Sequence, residues 1–492
     1  MKWPAAGALL VLAGLIGCGS QYRPVITPIY QTGPASQPLS YVAVFSQPDL
    51  MQTTAASTTP PCPSTAYASP GVVTVLDSSG DSVSALATLG NGPLTFALDP
   101  TGFNAYSQNC DGTLSNMAIS GSLQTKDVAT STLLPGSVPI NALALTGSQY
   151  VVEQGHNAIA AMSGNPPALK VEITDIAPSV INLTGVGSGQ RIYSISQGNS
   201  LSPAGDLAWG TCGNPSSVSV DGEADAIEVA SNSISSRIPL GVCPVFGVTS
   251  ANGSRAFILN RGSGTITVIN VQTNQLDTLN PNNTPYLSNG TINLCSTSTT
   301  ILSSTSPCNA GPVHADFYTP GNLLVVANYD NDTVSVIDTS LDVYGNDSAT
   351  FGKILATIPV GHQPAAVSVL QDGSRAYVAN EGDGTVTVVS LTSFTPLKTI
   401  QLAPVPDPTN PNNTVTPRPR SIASNYNNPS GNVFVGAQNS QYVTVISTET
   451  DTISARIQIQ GEVVDLHTST QYAAQSTTNS QIESRSVGSG AP

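Results

Sequence analysis

The chain has few charged residues, and basic residues are the scarcer kind. Only 9% of its 492 residues are Asp, Glu, Lys or Arg, with 15 basic residues against 30 acidic ones. A formal net charge of −15 argues against nucleic-acid binding, which needs a basic surface. It also argues against electrostatic docking on anionic lipid. The surface must therefore consist largely of Ser, Thr, Asn, Gln and Gly.

The sequence also lacks the short motifs of common catalytic and cofactor sites. There is no Walker loop, no G-x-S-x-G elbow and no dinucleotide fingerprint in a strand–helix context. Asp330-Asn331-Asp332 is not an EF-hand loop, because the later Gly and Glu are missing. No cysteines have C-x-x-C spacing and no His lies at zinc-like spacing. Because these motifs are absent, the sequence predicts no catalytic residue, no metal site and no cofactor.

Long apolar runs are absent except at the N-terminus. Ala5–Ile16 follows the positive Lys2 and is too short to span a bilayer as a mature helix, so we interpret residues 1–18 as a signal peptide. Leu15-Ile16-Gly17-Cys18 resembles the bacterial lipobox. That resemblance implies a lipid on Cys18 as the only anchor and, because Gly rather than Asp follows, the outer membrane. The alternative is an ordinary secretory signal that happens to contain a cysteine.

Repeats of about 40 residues organise the rest of the chain. The clearest unit, Gly361–Leu402, has four short β-branched or aromatic stretches bounded by Gly, Asp, Pro or Ser turns. Recurrence of such four-stranded units is the signature of a β-propeller blade. The units that can be counted are 41–89, 93–134, 139–173, 180–240, 244–280, 312–360, 364–402 and 418–459.

The repeat resembles the YVTN-type β-propeller repeat. Tyr377-Val378-Ala379-Asn380 is close to the eponymous motif, and Phe257–Asn260 and Val325–Asn328 are related to it. The resemblance covers about residues 41–468 and implies an all-β, closed propeller of four-stranded blades. That family mostly has seven blades, whereas the count here favours eight. Seven remains open, because the third and fourth units could share strands.

The two ends of the repeat region complement each other. The first unit lacks an innermost strand, and Glu462–His467 follows the last unit without partners of its own. We predict that this segment completes the first blade, which closes the ring and removes exposed strand edges. The propeller domain is assigned to 40–468, between a Pro/Ser/Gln-rich tether at 19–39 and a disordered tail at 469–492.

Most of the long insertions share one predicted face, here called the loop-rich face. The links between blades and the loops joining second to third strands lie on the same face of a propeller. The insertions of these two kinds are Gln47–Pro70, Gln197–Gly222, Pro281–Gly311 and Ala403–Pro417. Only Thr339–Gly352 falls on the opposite face. Long loops in a compact domain are usually functional or disordered. The loop-rich face is therefore either a binding surface or a set of insertions without a function.

Six cysteines remain besides Cys18: Cys62, Cys110, Cys212, Cys243, Cys295 and Cys308. An even number in an exported protein predicts disulfides. All six fall on the loop-rich face. Their positions in the same, equivalent or neighbouring loops favour the pairings Cys62–Cys110, Cys212–Cys243 and Cys295–Cys308.

Six polar residues are candidates for a ligand-binding site at the channel mouth on this face: His314, His362, Arg420, Glu381, Asp330 and Arg261. The first three begin or precede innermost strands of consecutive units, and the others lie in turns between second and third strands. Such a ring can hold a metal or polarise a carbonyl. Polar residues also collect at blade ends because turns need them.

Other polar residues are interpreted as structural. The Asn residues that end second strands are assigned as turn formers whose side chains bond nearby backbone; they are Asn109, Asn260, Asn328 and Asn380. His156 is placed in a turn of the third unit and His467 in the closing strand.

Two functions are compatible with these features. The first is a non-enzymatic binding or scaffold module, monomeric and lipid-anchored in the cell envelope, facing the periplasm or the surface. It would present its loop-rich face to an envelope or extracellular protein or glycan. The second is a metal-assisted hydrolase at the channel mouth, because some propellers resembling this one are described as lactonases. No convincing set of acidic metal ligands can be placed on the inner strands, which favours the first.

Overall fold

The structure is a computed structural model that describes residues 41–48, 69–77, 82–178, 180–185, 190–197, 221–250, 252–278, 285–295, 310–407, 412–424 and 431–469. The signal peptide, the tether and residues 470–492 lie outside these ranges, as do Cys18, Cys62, Cys212 and Cys308. The described residues contain no helix that is long and apolar enough to cross a membrane.

The first four blades are antiparallel sheets of four strands each. From innermost to outermost, blade 1 contains β35 (Glu462–Ser469), β1 (Tyr41–Gln47), β2 (Pro70–Asp77) and β3 (Ser82–Asn91); blade 2 contains β4 (Pro93–Leu98), β5 (Asn104–Asn109), β6 (Thr113–Ala118) and β7 (Ala129–Thr132); blade 3 contains β8 (Pro139–Leu145), β9 (Ser148–Glu153), β10 (Ala158–Ser163) and β11 (Ala168–Ile173); and blade 4 contains β12 (Val180–Gly185), β13 (Arg191–Ser196), β14 (Asp221–Glu228) and β15 (Ser233–Val242).

The last four blades repeat this order. Blade 5 contains β16 (Pro244–Thr249), β17 (Arg255–Asn260), β18 (Thr265–Asn270) and β19 (Gln275–Leu276), with β20 (Thr291–Asn293) also paired to β18; blade 6 contains β21 (Pro312–Tyr318), β22 (Leu323–Asn328), β23 (Thr333–Asp338) and β24 (Ile354–Pro359); blade 7 contains β25 (Pro364–Val369), β26 (Arg375–Asn380), β27 (Thr385–Ser390) and β28 (Thr395–Gln401); and blade 8 contains β31 (Arg418–Ser424), β32 (Asn432–Gln438), β33 (Tyr442–Ser447) and β34 (Thr452–Gln458). A small hairpin of β29 (Val405–Pro406) and β30 (Thr414–Val415) joins blades 7 and 8.

The prediction of eight blades in a closed ring is confirmed. The closing strand β35 pairs antiparallel with β1, placing Leu466 opposite Val44 and Val463 opposite Ser46. The strand ends at Ser469, one residue beyond the predicted domain boundary. Both termini therefore build blade 1, as the sequence predicted, and the third and fourth units are separate blades.

The described residues form eight large apolar clusters, one between each pair of adjacent blades, and a smaller ninth cluster at the starts of innermost strands. The cluster that closes the ring packs Val44 and Leu466 of blade 1 against Phe434 of blade 8. On the other side of blade 1, Phe45 stacks on Phe96 of blade 2 with ring centroids 3.8 Å apart. An open row of the same blades would have one interface fewer and two exposed apolar sheets.

Each innermost strand begins in the same irregular way. In six blades the strand starts with or near a Pro, a residue that cannot donate to the ladder and is tolerated at the start of a strand. The register then breaks, which marks a β-bulge one residue later. The bulged residues are Leu94, Ile140, Ile181, Val245, Val313, Ala365, Arg420 and Val464. All of them lie at the strand ends that face the loop-rich side.

Removal of β35 should open the ring. A chain that ends at Gly461 loses Val463 and Leu466, which are 5% and 1% exposed. Burial of two such side chains is worth about 3–6 kcal/mol, and β1 would become a free edge. We expect a lower melting temperature and a broader transition, measured by circular dichroism and calorimetry. A chain ending at Ser469 is the control and should melt like the full chain; equal melting of both truncated chains would contradict ring closure by β35.

Candidate ligand-binding site at the channel mouth

The mouth on the loop-rich face combines an apolar base with one unusual cation. Seven of the eight bulged residues are apolar, and the eighth, in blade 8, is Arg420. In blades 6 and 7 the bulged Val313 and Ala365 pack with the ring of Tyr329, and Val245 of blade 5 contacts the same cluster. The aromatic ring therefore covers the start of three neighbouring innermost strands.

Arg261 and Asp330 form an ion pair beside this ring. Arg261 donates from Nε and Nη2 to the two carboxylate oxygens of Asp330, at 3.0 and 2.7 Å. Its guanidinium carbon lies 4.8 Å from the centroid of the Tyr329 ring. A two-point pair of this kind fixes both planar groups, and stacking on the aromatic face adds a cation–π attraction. The pair thus links the turns of blades 5 and 6.

Glu381 joins blade 7 to blade 8 through two arginines. Its side chain is fully buried, and its Oε1 accepts hydrogen bonds from Arg420 Nη2 at 2.6 Å and from Arg418 Nη2. The Tyr329 hydroxyl lies 3.5 Å from Glu381 Oε2. Burial and the Glu381 carboxylate raise the pKa of Tyr329 to about 12. The phenol therefore stays protonated and can donate to Glu381.

A second buried carboxyl, Glu462, lies close enough to Arg418 and Arg420 for their positive charges to affect its pKa. Burial raises the pKa of Glu462 to about 7, while a backbone hydrogen bond from Asn439 and the positive charges of Arg420 and Arg418 oppose this rise. Glu462 begins β35, so the strand that closes the ring also places a titratable group near the mouth.

The structure brings four of the six predicted site residues into this network. Arg261 pairs with Asp330, and Glu381 pairs with Arg420. Sequence reasoning missed Tyr329 and Arg418. A signal for Tyr329 was available, because it follows the last residue of its second strand just as Arg261 and Glu381 do in their blades.

The two predicted histidines make separate contacts elsewhere. His314 is buried in β21, where its Nδ1 accepts the Val367 N–H at 3.2 Å and its ring lies 4.8 Å from that of Phe246. His362 is half exposed, and its Nδ1 lies 3.1 Å from both carboxylate oxygens of Asp332. We therefore assign His314 to packing between innermost strands and His362 to a surface hydrogen bond with Asp332 in the link.

The four Asn residues at second-strand ends have a structural role, as predicted, but mainly with different partners. Each Nδ2 donates to two hydroxyls of the third strand rather than chiefly to backbone; in blade 7 these are Thr385 and Thr387, at 2.9 and 2.8 Å from Asn380. We call this arrangement the Asn clamp. It recurs with Asn109, Asn260 and Asn328.

Disulfides lie on the loop-rich face. Cys110, Cys243 and Cys295 are each disulfide-bonded. Cys110 follows β5, Cys243 lies between β15 and β16, and Cys295 follows β20, and all three positions belong to that face. The other predicted cysteines lie outside the described residues, so the three individual pairings stay predictions.

The likeness to known proteins is confined to the fold. No family model and no curated protein sequence matches the chain. A structure of apo AztD from Citrobacter koseri has 13% identity and a TM-score of 0.52, and the match covers 87% of this chain and 97% of AztD. A crystal structure of the same protein gives 14% identity, a TM-score of 0.51 and coverage of 87% and 98%. The chain is thus an eight-bladed β-propeller whose overall arrangement is similar to that of AztD.

Loss of the Glu381 carboxylate should destabilise the mouth. Glu381→Gln leaves Arg418 and Arg420 facing a neutral amide. We expect a loss of about 2–4 kcal/mol in the free energy of unfolding, slightly less than for a fully buried pair because Arg418 is partly exposed. Urea unfolding measures the change. The control is Glu449→Gln at an exposed turn, which should stay within about 0.5 kcal/mol of the parent; equal effects of the two substitutions would contradict the assignment.

Stability should also fall as the pH rises through neutrality. Because the folded pKa of Glu462 is raised from 4.5 to about 7, its stabilising contribution is complete below about pH 4.5 and is lost as the pH passes 7. One pKa unit is worth about 1.4 kcal/mol, so a shift from 4.5 to about 7 corresponds to a loss on the order of 3 kcal/mol. Urea unfolding at pH 5 and 8 should show a smaller difference for Glu462→Gln than for the parent. Parallel pH profiles would rule out this role.

Proposed function

We propose that this propeller is a non-enzymatic binding or scaffold module of the cell envelope, of the YVTN-type repeat class. It is lipid-anchored through Cys18, and it engages an envelope or extracellular protein or glycan through its loop-rich face. The chain acts as a monomer and contacts the membrane through its lipid alone. The observation that carries the proposal is the concentration of long insertions on one face of the ring.

The strand connectivity supports this choice of face. The insertions after β1 and β13 join second to third strands, while those after β20 and β28 lie in the links between blades. The predicted insertion Pro281–Gly311 is divided by β20, which continues the outermost strand of blade 5, and Tyr286 before β20 contacts Lys353 beside the opposite-face loop. In an antiparallel blade these connections emerge together. A rigid scaffold that carries variable loops at one end is a common arrangement for recognition.

Disulfide bonds on the same face also support the proposal that it binds a partner. The disulfide-bonded Cys110, Cys243 and Cys295 all lie at strand ends of the loop-rich face. A disulfide reduces the freedom of the loop it closes, typically stabilising the native state by about 2–4 kcal/mol. Loops fastened in this way lose less entropy when they bind, which favours affinity.

The channel-mouth chemistry favours binding over hydrolysis. A metal-assisted hydrolase at the mouth would need His314 and His362 to converge, but each has its own separate partners. The charges of Arg261, Asp330, Glu381 and Arg420 are used in ion pairs between blades. The mouth is therefore suited to hold its blades together beneath a recognition surface.

Matched variants of the mature chain can test whether partners bind the loop-rich face. In one, residues 407–413 are replaced by Asn-Gly, a two-residue turn that keeps the β29–β30 pairing. In a second, residues 49–68 are replaced by a short Gly/Ser linker together with Cys110→Ser. The immobilised chain is cross-linked to detergent-solubilised envelope of the producing bacterium, and the recovered partners are quantified by mass spectrometry. We expect at least one trimmed variant to lose its specific partners.

The control targets the opposite face. Val343 and Tyr344, which are 93% and 86% exposed at the tip of the loop after β23, are both changed to Ser. This variant should recover the same partners as the parent. Loss of partners in this variant alone would place recognition on the other face and overturn the proposal.

A further inference from the structure

Blade 3 departs from the repeat at the Asn clamp. Glu153 stands where four other blades have Asn, and Ala158 and Ala160 replace the two hydroxyl residues that the Asn would contact. The Glu153 side chain is fully buried, and neither carboxylate oxygen has a hydrogen-bond partner. A buried carboxylate without partners is costly, so this substitution needs a compensating interaction.

Two further side chains converge on Glu153. His156 Nδ1 lies 2.8 Å from Glu172 Oε1 and 3.9 Å from Glu153 Oε2. One ligand atom from each of the three residues lies within 4.8 Å of the other two. Glu153 ends β9, His156 is in the following turn and Glu172 is near the end of β11, so all three belong to blade 3 at its loop-rich end.

The backbone fixes the position of the imidazole. The 3₁₀ turn Gln154–His156 is bound to the link that enters blade 3, because Gln154 and Gly155 donate their N–H groups to Val138 O and Ser137 O at 3.1 and 2.9 Å. A Cβ on Gly155 would lie 1.9 Å from the Gly136 carbonyl oxygen. Only glycine therefore permits this close approach.

The hydrogen bonds of His156 also orient its ring. Nε2 lies 3.0 Å from the carbonyl oxygen of Pro135, which can only accept, so Nε2 donates to it. Nδ1 lies at hydrogen-bond distance from Glu172 Oε1, so a proton lies between them in the metal-free protein, and a bound metal ion would displace that proton and take the Nδ1 lone pair. A metal-binding His typically has this arrangement, with one nitrogen donating to a backbone carbonyl and the other free to ligate.

We propose that Glu153, His156 and Glu172 form a binding site for one divalent transition-metal ion of the Zn²⁺ type. The ligands are His156 Nδ1 and one or two oxygens of each carboxylate, at about 2.0–2.2 Å from the metal. Two carboxylates balance the charge of the ion, and the metal supplies the partner that the Glu153 oxygens lack. The imidazole favours transition metals over Mg²⁺ or Ca²⁺. This site lies on the same face as the proposed partner surface, but the argument for it does not depend on the proposed function. It revises the expectation from the motifs that the chain has no metal site.

The first measurement is Zn²⁺ binding by the untagged mature chain, stripped of metal and kept oxidised, followed by calorimetry at pH 7.5. Co²⁺ serves as a spectroscopic probe, because its visible absorption reports ligand binding directly. We expect one equivalent of Zn²⁺ to bind, Co²⁺ to give a visible band that Zn²⁺ removes, and excess Mg²⁺ or Ca²⁺ to leave the band unchanged. Absence of stoichiometric Zn²⁺ binding would overturn the proposal.

Two kinds of variant test whether the ion binds at this site. Glu153→Gln and His156→Gln should each weaken Zn²⁺ binding at least about tenfold, since even outer partners of metal ligands are worth 10–100-fold. The triple variant Glu153→Asn, Ala158→Thr, Ala160→Thr copies the clamp of blades 5 and 7 with the same spacing. It should melt at or above the parent temperature and lose the Co²⁺ band, which separates loss of the site from loss of the fold.

The matched control is His362→Gln, which removes another His–carboxylate pair on the same face. It should bind Zn²⁺ like the parent. Unchanged binding by the folded triple variant, or an equal loss in His362→Gln, would show that the ion binds elsewhere and would refute the assignment.

Discussion

The pairing of β35 with β1 is the interaction on which the rest of the molecule depends. Each blade buries its apolar faces only against its two neighbours, so an unclosed ring would expose two sheets. The closing contact joins distant parts of the chain, with Ser46 Oγ donating to the Gln460 carbonyl at 2.7 Å across 414 residues. His467 extends the contact by packing edge-on against Phe96, with ring centroids 4.6 Å apart. The last strand thereby fixes blades 8, 1 and 2 together.

The shared bulge at the start of each innermost strand gives all eight blades the same entry geometry. It places the second or third residue of the strand at the channel mouth, and in seven of the eight blades that residue is apolar. Arg420 breaks this pattern, and with Arg418 it requires the buried Glu381 of the neighbouring blade. The mouth is therefore a set of ion pairs between blades on an apolar base, which suits a rigid support for the loops around it.

Departures from a repeat are informative because the other copies show what the position normally does. The Asn clamp donates both N–H groups of its amide nitrogen to two hydroxyls in blades 2, 5, 6 and 7. Blade 3 gives up those contacts and buries an acid in their place. Natural sequences usually break a local rule of this kind at functional sites, where another interaction compensates.

The sequence by itself determined the four-stranded repeat, the closing strand and the face that carries most of the insertions, because these follow from local alternation of apolar residues and from turn positions. It favoured eight blades but left seven open, and the separate strand pairing of blades 3 and 4 decided the number. It also located four residues of the mouth, since turns recur at fixed places in the repeat. Only the tertiary structure decided which charges meet. That His362 pairs with Asp332 and not with the mouth, and that Glu172 reaches His156, depends on side-chain direction and on packing between strands and links. Side-chain direction and the packing between strands and links do not repeat along the sequence, so no pattern of residues could predict these contacts.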